Sequence, residues 1–254
     1  MRWLAGFLGA AGLLYLLVCA GLFAFQRSLL YMPQPARFEV PGMRLPVPGA
    51  ELQVSVRLLQ GAPALLYFGG NAEDVSGTWG ELAEQFPGRS LYLMHYRGYG
   101  HSTGRPAEAD LHADALALYQ HVQQALGGKG ADIAVMGRSL GSGAAVRLAA
   151  EQRVSHLVLV TPYDSIAAVA AAHFPWLPVR WLMRDVFDSA ALAPGITTPT
   201  TVILAEHDEV IPRERTDALV HRFAPGLARV VQIPGANHNN VSAGEAFRRA
   251  LPRL

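Results

Sequence analysis

The chain reads as an α/β protein, a mostly parallel central sheet with helices on both faces, preceded by an apolar helix at the N-terminus. Six short, largely apolar runs recur between segments of helical periodicity, and each is too short to be a helix itself. Strands that alternate with helices in this way build a parallel sheet covered on both sides. Ahead of them stands Trp3–Phe25, a stretch without one charged side chain.

That leading stretch comes first in chain order. As a helix it measures about 34 Å, against a hydrocarbon core of about 30 Å. Residues 1–27 are therefore expected to form a membrane anchor and 28–254 the folded domain, with Tyr31 at the headgroup level. A signal peptide ending at Val18-Cys19-Ala20 is the competing reading, opposed by the continuation of the run through Leu22, Phe23 and Phe25. Lipid attachment at Cys19 wants a small residue before it, and Val18 stands there. Arg2 with the amino terminus balances Arg27 and Arg37, so charge sets no orientation.

Beyond the anchor, Gln53–Leu59 partly alternates and suits an antiparallel edge strand. Ala64–Phe68, Leu91–Met94, Ile133–Met136, Leu157–Val160, Val202–Ala205 and Val230–Ile233 read as buried strands. Glu108–Leu126, Ser142–Gln152 and Arg213–Phe223 read as helices. Residues 161–199 are the place for a lid or cap. In sheets of this kind the chemistry gathers at the carboxyl ends of the strands.

Composition narrows the function. The chain has 254 residues with 21 Lys+Arg against 20 Asp+Glu, a formal net charge of +1, which offers no electrostatic basis for nucleic acid as a partner. At 51% hydrophobic and 16% charged residues it is neither disordered nor collagen-like. A single cysteine, Cys19, rules out an intramolecular disulfide and a Cys-based zinc site. No residue pattern calls for a metal or a cofactor.

Two segments match G-x-S-x-G, the turn that presents a nucleophilic serine: Gly100–Gly104 around Ser102 and Gly137–Gly141 around Ser139. Such an elbow needs a strand running straight in and a helix leaving at once. Ile133-Ala134-Val135-Met136 leads directly into Gly137, and Ser142–Leu148 continues as a helix whose amino end points its positive dipole at the site. Around Ser102, Tyr96–Tyr99 separate the turn from its strand, while Gly104 and Pro106 oppose a helix. Ser139 is the expected nucleophile. The bland alternative is a Gly-Ser turn packed tightly on the sheet.

A serine hydroxyl needs a positioned base, ordinarily a neutral histidine oriented by a carboxylate. In this architecture the acid and then the histidine follow the serine at later strand ends. Asp208 lies past Val202–Ala205, with Glu206 and Glu209 as fallback acids, and His238 lies past Val230–Ile233. His207 neighbours the acid and would point elsewhere. The oxyanion wants two backbone N–H donors. Leu140, after the nucleophile, is one; the other should come from Gly69-Gly70-Asn71-Ala72, with Asn71 favoured.

These residues together resemble the membrane-anchored branch of the α/β-hydrolase family, near serine-aminopeptidase-like hydrolases and abhydrolase-domain depalmitoylases. Phe25–Pro33 resembles the family's post-anchor segment and Gly70–Asp74 its oxyanion loop. Tyr96–Ser102 resembles a structural loop, which accounts for the second serine motif. Gly137–Gly143, Asp208–Pro212 and His238-Asn239 resemble the triad motifs. This chain departs in having Gly69-Gly70 where His-Gly is usual, His95 where Asp is usual, and Asn237 where Gly commonly precedes the histidine.

The expected activity is hydrolysis of esters or thioesters of apolar acyl groups, on a small-molecule or lipid-like substrate. Apolar Ala167–Ala172, Phe174–Pro178 and Trp181–Met183 suit either an acyl pocket or ordinary packing on the sheet. A peptidase of the same fold and a non-catalytic anchored binding protein are the alternatives. The sequon Asn240-Val241-Ser242 reads as fortuitous, since a glycan two residues past His238 would obstruct the site.

Overall fold

A computed structural model describes residues 2–128 and 130–254. Helix α1 (Arg2–Leu30) leads to a hairpin of β1 (Gly42–Val47) and β2 (Ala50–Arg57), closed at Pro48-Gly49 with Gly49 at φ +78°. The remainder alternates: β3 (Ala64–Phe68), α2 (Val75–Gln85), β4 (Ser90–Met94), α3 (Glu108–Ala125), β5 (Ile133–Arg138), α4 (Leu140–Glu151) and β6 (His156–Val160). Three short helices follow, α5 (Ile166–His173), α6 (Val179–Leu182) and α7 (Ser189–Leu192). The chain then runs through β7 (Thr200–His207), α8 (Arg213–Val220), β8 (Ala228–Asn237) and α9 (Glu245–Ala250).

The eight strands form one sheet in the order β1-β2-β4-β3-β5-β6-β7-β8, antiparallel at β1/β2 and β2/β4 and parallel from there on. The Gln53–Leu59 expectation needs correcting. That strand is antiparallel but not at the edge, because β1 covers it with Met43 opposite Val54 and Leu45 opposite Leu52. Pro46 and the half-polar run Gly42-Met43-Arg44 hid β1 from pattern reading. Proline is tolerated there because an edge strand leaves one row of N–H groups unpaired.

Both faces of the sheet are dry from β3 to β7; β8 lies at the edge and is largely exposed, Val230 to 42%, which corrects the expectation of a buried strand at Val230–Ile233. In β3, Leu66 and Phe68 join a cluster with Leu118 and Tyr119 of α3 and Ala144 and Leu148 of α4. The alternate Leu65 and Tyr67 face Val75 and Leu82 of α2 and Phe247 of α9. Period-2 alternation with apolar residues on both sides produces the continuous apolar runs seen in the sequence. Residues 161–199, expected as the place for a lid or cap, hold only short helices.

α1 is not a free tether. Its stripe at Cys19, Leu22 and Gln26, spaced three and four apart, is buried or half-buried together with Gly21 and Leu30, while the other described residues of the helix are exposed. At its base Arg27 forms a bidentate pair with Asp185, at 2.9 and 3.0 Å, and Tyr31 donates to the same carboxylate at 3.1 Å. Asp185 is buried. Burial and that carboxylate drive the Tyr31 phenol well above its ordinary pKa, so it stays a donor.

Candidate active site

Ser139 stands between the last residue of β5 and the first of α4, at φ +48° and ψ −119°. A non-glycine residue holds such a backbone only when its surroundings over-determine it. The two flanking glycines supply that constraint through space. A β-carbon on Gly137 would sit 2.4 Å from the Gly141 carbonyl oxygen, and one on Gly141 would sit 2.1 Å from that of Phe68. The elbow is pressed onto the end of β3, and α4 therefore begins at Leu140, two residues before the expected Ser142.

Strands β7 and β8 carry on past their expected ends, to His207 and Asn237, and the next residues are Asp208 and His238. The His238 Nε2 lies 2.9 Å from Ser139 Oγ, and its Nδ1 lies 2.9 Å from each carboxylate oxygen of Asp208. Asp208 is fixed in turn by Val210 N–H at 3.0 Å and Ile211 N–H at 2.8 Å, both donating to Oδ1. His238 is buried and Ser139 half-buried.

The fallback acids go elsewhere. Glu206 accepts from Gly235 N–H at 2.7 Å, and Glu209 reaches only the backbone N–H of His238, at 3.4 Å. The His207 side chain is exposed. Ser102 is buried, its hydroxyl donating to His95 O and accepting from Gln53 N–H, both at 2.8 Å, so it braces the β2–β4 connection. His95 pairs with Ser55 Oγ at 2.9 Å, and burial lowers its pKa to about 4. It packs as a neutral core histidine, away from Ser139.

Leu140 N–H is the first amide of α4, a position with no partner inside its own helix. Gly70 approaches Ser139 closely: a β-carbon there would lie 3.8 Å from Ser139 Cβ. The Gly70 N–H is taken by Glu73 at 2.7 Å. Asn71 N–H has no acceptor among the described residues, while its side-chain Oδ1 accepts from Met32 N–H and Tyr99 OH, each at 3.0 Å.

Sequence reasoning missed the groups that hold this loop. Glu73 accepts from Tyr67 OH and Thr78 Oγ1, each at 2.7 Å, as well as from Gly70. Arg138 lies 3.5 Å from Glu73 and donates to the carbonyls of His238 and Asn239 at 3.3 and 3.1 Å. One guanidinium thus joins the elbow, the loop of residues 69–74 and the histidine loop. Tyr163 donates to Leu140 O at 3.0 Å from beneath. Glu73 was visible beside Asn71 and Arg138 beside Ser139, but neither position reveals what the side chain touches. A cleft of about 500 Å³ lies away from the serine, at the foot of α1 among Arg27, Glu108, His112, Arg147 and Asp185.

The fold and this arrangement define an α/β-fold hydrolase, and comparison with known proteins agrees. Residues 63–194 match the model of the α/β hydrolase fold family. An uncharacterized protein of Mycobacterium tuberculosis is 36% identical over 244 residues, covering 88% of this chain and 85% of its own. The Caenorhabditis elegans α/β hydrolase domain-containing protein aho-3 is 32% identical over 193 residues, 74% of this chain and 55% of that one. Among solved structures, the enol-lactonase from Burkholderia xenovorans superposes with a TM-score of 0.63 at 20% identity, covering 82% of this chain and 97% of that one. The chain belongs to the α/β hydrolase fold family.

Proposed function

We propose that this protein is a serine hydrolase that cleaves carboxylic ester or thioester bonds of apolar acyl substrates through an acyl-Ser139 intermediate, held at the membrane by residues 1–27. The observation that carries it is the unbroken Ser139–His238–Asp208 relay, with each link at 2.9 Å.

In this reading His238 Nε2 takes the Ser139 proton as Oγ attacks the acyl carbon. Asp208 keeps the other ring nitrogen protonated and stabilises the imidazolium. Leu140 N–H and Asn71 N–H receive the negative oxygen of the tetrahedral intermediate, each donor contributing about 3 kcal/mol. Collapse breaks the acyl–oxygen or acyl–sulfur bond, and His238 hands its proton to the departing alcohol or thiol. Water, deprotonated by His238, then releases the acid and restores Ser139. The enol-lactonase from Burkholderia xenovorans has the same fold. No nucleic acid and no cofactor enters the reaction.

The test is labelling of the intact protein by a fluorophosphonate, followed by turnover of acyl esters and thioesters. Labelling and turnover are expected, and both should vanish in Ser139→Ala. Esterase activity retained by that variant, or an intact protein that does not label, would sink the proposal.

A further inference from the structure

α1 and the small cap touch at a depth that matters. Tyr15 OH donates to Trp176 O at 2.9 Å. Eleven residues along, Gln26 Nε2 donates to Leu182 O at 3.0 Å and its Oε1 accepts from Arg184 N–H at 2.7 Å. The Arg184 guanidinium lies 4.2 Å from the centre of the Phe23 ring. The α5–α6 hairpin therefore lies along α1 for about 16 Å.

That length constrains where the bilayer can sit. The part of α1 clear of the cap, Trp3–Leu14, measures only about 18 Å and cannot cross a core of about 30 Å by itself. If α1 spans, lipid must also surround its cap-packed half, and the hairpin goes in with it.

The surface of the hairpin is chemically suited to that. Between Asp164 and Asp185 there is no acidic side chain, while Arg180 and Arg184 are basic. Phe174, Trp176 and Trp181 are exposed, Trp181 to 88%, an unusual state for such residues in water. Aromatic rings with nearby arginines are what the interface of a bilayer with anionic headgroups accepts.

The catalytic loops adjoin these same elements. Met32, two residues past α1, donates to Asn71 Oδ1, and His173 at the end of α5 contacts the Val210 carbonyl at 2.9 Å, two residues from Asp208.

We propose that the α5–α6 hairpin is a second membrane-embedded element, with Phe174, Trp176 and Trp181 among the acyl chains beside α1, so that Ser139 draws its acyl ester from the bilayer. This rests on the anchored serine-hydrolase reading above and adds to it the place from which substrate arrives.

The test uses the full chain in phosphatidylcholine vesicles whose acyl chains are brominated midway, with one tryptophan retained at a time and the others changed to Phe. Bromine quenching is expected at Trp176 and Trp181, severalfold above that at Trp79, whose indole donates to Val56 O within the domain. A Leu13→Trp probe in the tryptophan-free chain reports on α1 alone. Quenching of that probe with Trp176 and Trp181 at the level of Trp79 overturns the inference and leaves the anchor standing. No quenching at any position overturns both.

A second arm follows the W176Q/W181Q variant. Hydrolysis of a long-chain ester dispersed in vesicles should fall about tenfold, with a water-soluble short-chain ester unaffected. Equal loss on both esters, or on neither, overturns the inference. Fluorophosphonate labelling is read in parallel: quenching without any labelling of Ser139 removes the serine-hydrolase reading and, with it, the proposed delivery of substrate.

Discussion

Gly137–Gly141 and Gly100–Gly104 share one five-residue pattern and have opposite surroundings. In the first, Ser139 takes a strained backbone at φ +48° and turns its hydroxyl to His238, while Gly137 makes room for the first turns of α4 and Gly141 for the end of the β3 backbone. In the second, the glycines themselves carry the positive φ, +55° at Gly100 and +84° at Gly104, and Ser102 spends its hydroxyl on two backbone groups. One motif uses glycine for closeness, the other chiefly for handedness. The proposed nucleophile elbow is thus told apart by what enters and leaves it; the pentapeptide alone does not distinguish the two.

Serine deletion is the strongest way to break this contrast. Ser139→Ala should lower kcat on an ester substrate by about 10⁴-fold or more, in line with loss of a triad member. Ser102→Ala should leave kcat nearly unchanged but cost about 1–3 kcal/mol of stability, because Gln53 N–H and His95 O lose their partner. Comparable loss of activity in both variants would erase the distinction.

Glycine substitution comes next. Gly141→Ala drives a methyl into the Phe68 carbonyl at 2.1 Å and should cost more than about 4 kcal/mol in denaturant unfolding, or prevent folding. Gly104→Ala, whose β-carbon would meet Ala50 Cβ at 3.2 Å in a backbone of positive φ, should cost about 1–2 kcal/mol. The reverse order would show that the elbow is not held by close approach to β3.

Support of the oxyanion-side loop is a subtler difference. Glu73→Gln keeps the shape but weakens the hold on Gly70 N–H, and should reduce kcat about 10-fold to 100-fold with little change in melting temperature. Unchanged kcat would reduce Glu73 to a packing residue.

A further contrast is read in pH. His95, beneath the Ser102 loop, is held to a pKa of about 4 by burial, against an ordinary 6.5. The unfolded chain then takes up this proton below pH 6.5 while the folded chain does so only near pH 4. Its share of stability is fully present above pH 6.5 and is lost as pH falls from there towards about 4, on the order of 2–3 kcal/mol. His112, lowered to about 4 mainly by burial, acts in the same direction. Urea unfolding from pH 7.5 to 4 should show the decline, and His95→Gln should remove about half of the part the two histidines supply.

Much of this was legible before any coordinates. The buried strands announce themselves as apolar runs because both sheet faces are covered, and the Ile133–Met136 approach to Gly137 separates the two serine motifs. The hairpin strand β1 was not legible, since an edge strand with one dry face and a proline has too few apolar positions to stand out. Glu73 and Arg138 were equally silent. Their neighbours in sequence hint at importance, but their partners lie on other elements, and a charged side chain has no periodicity to read.

From its residues alone the chain determined local matters: where strands run into turns, which serine a helix follows, and that an uncharged helix opens it. These depend on propensity and pattern within a few residues. Tertiary structure decided which of Glu206, Asp208 and Glu209 meets the imidazole, which amides stay free beside Ser139, and that the cap lies along the first helix. Ser139 and His238 are 99 residues apart, and Tyr15 and Trp176 are 161 apart. Their meeting is set by the register of a parallel sheet and by packing across it, and those long-range pairings leave no imprint on neighbouring residues.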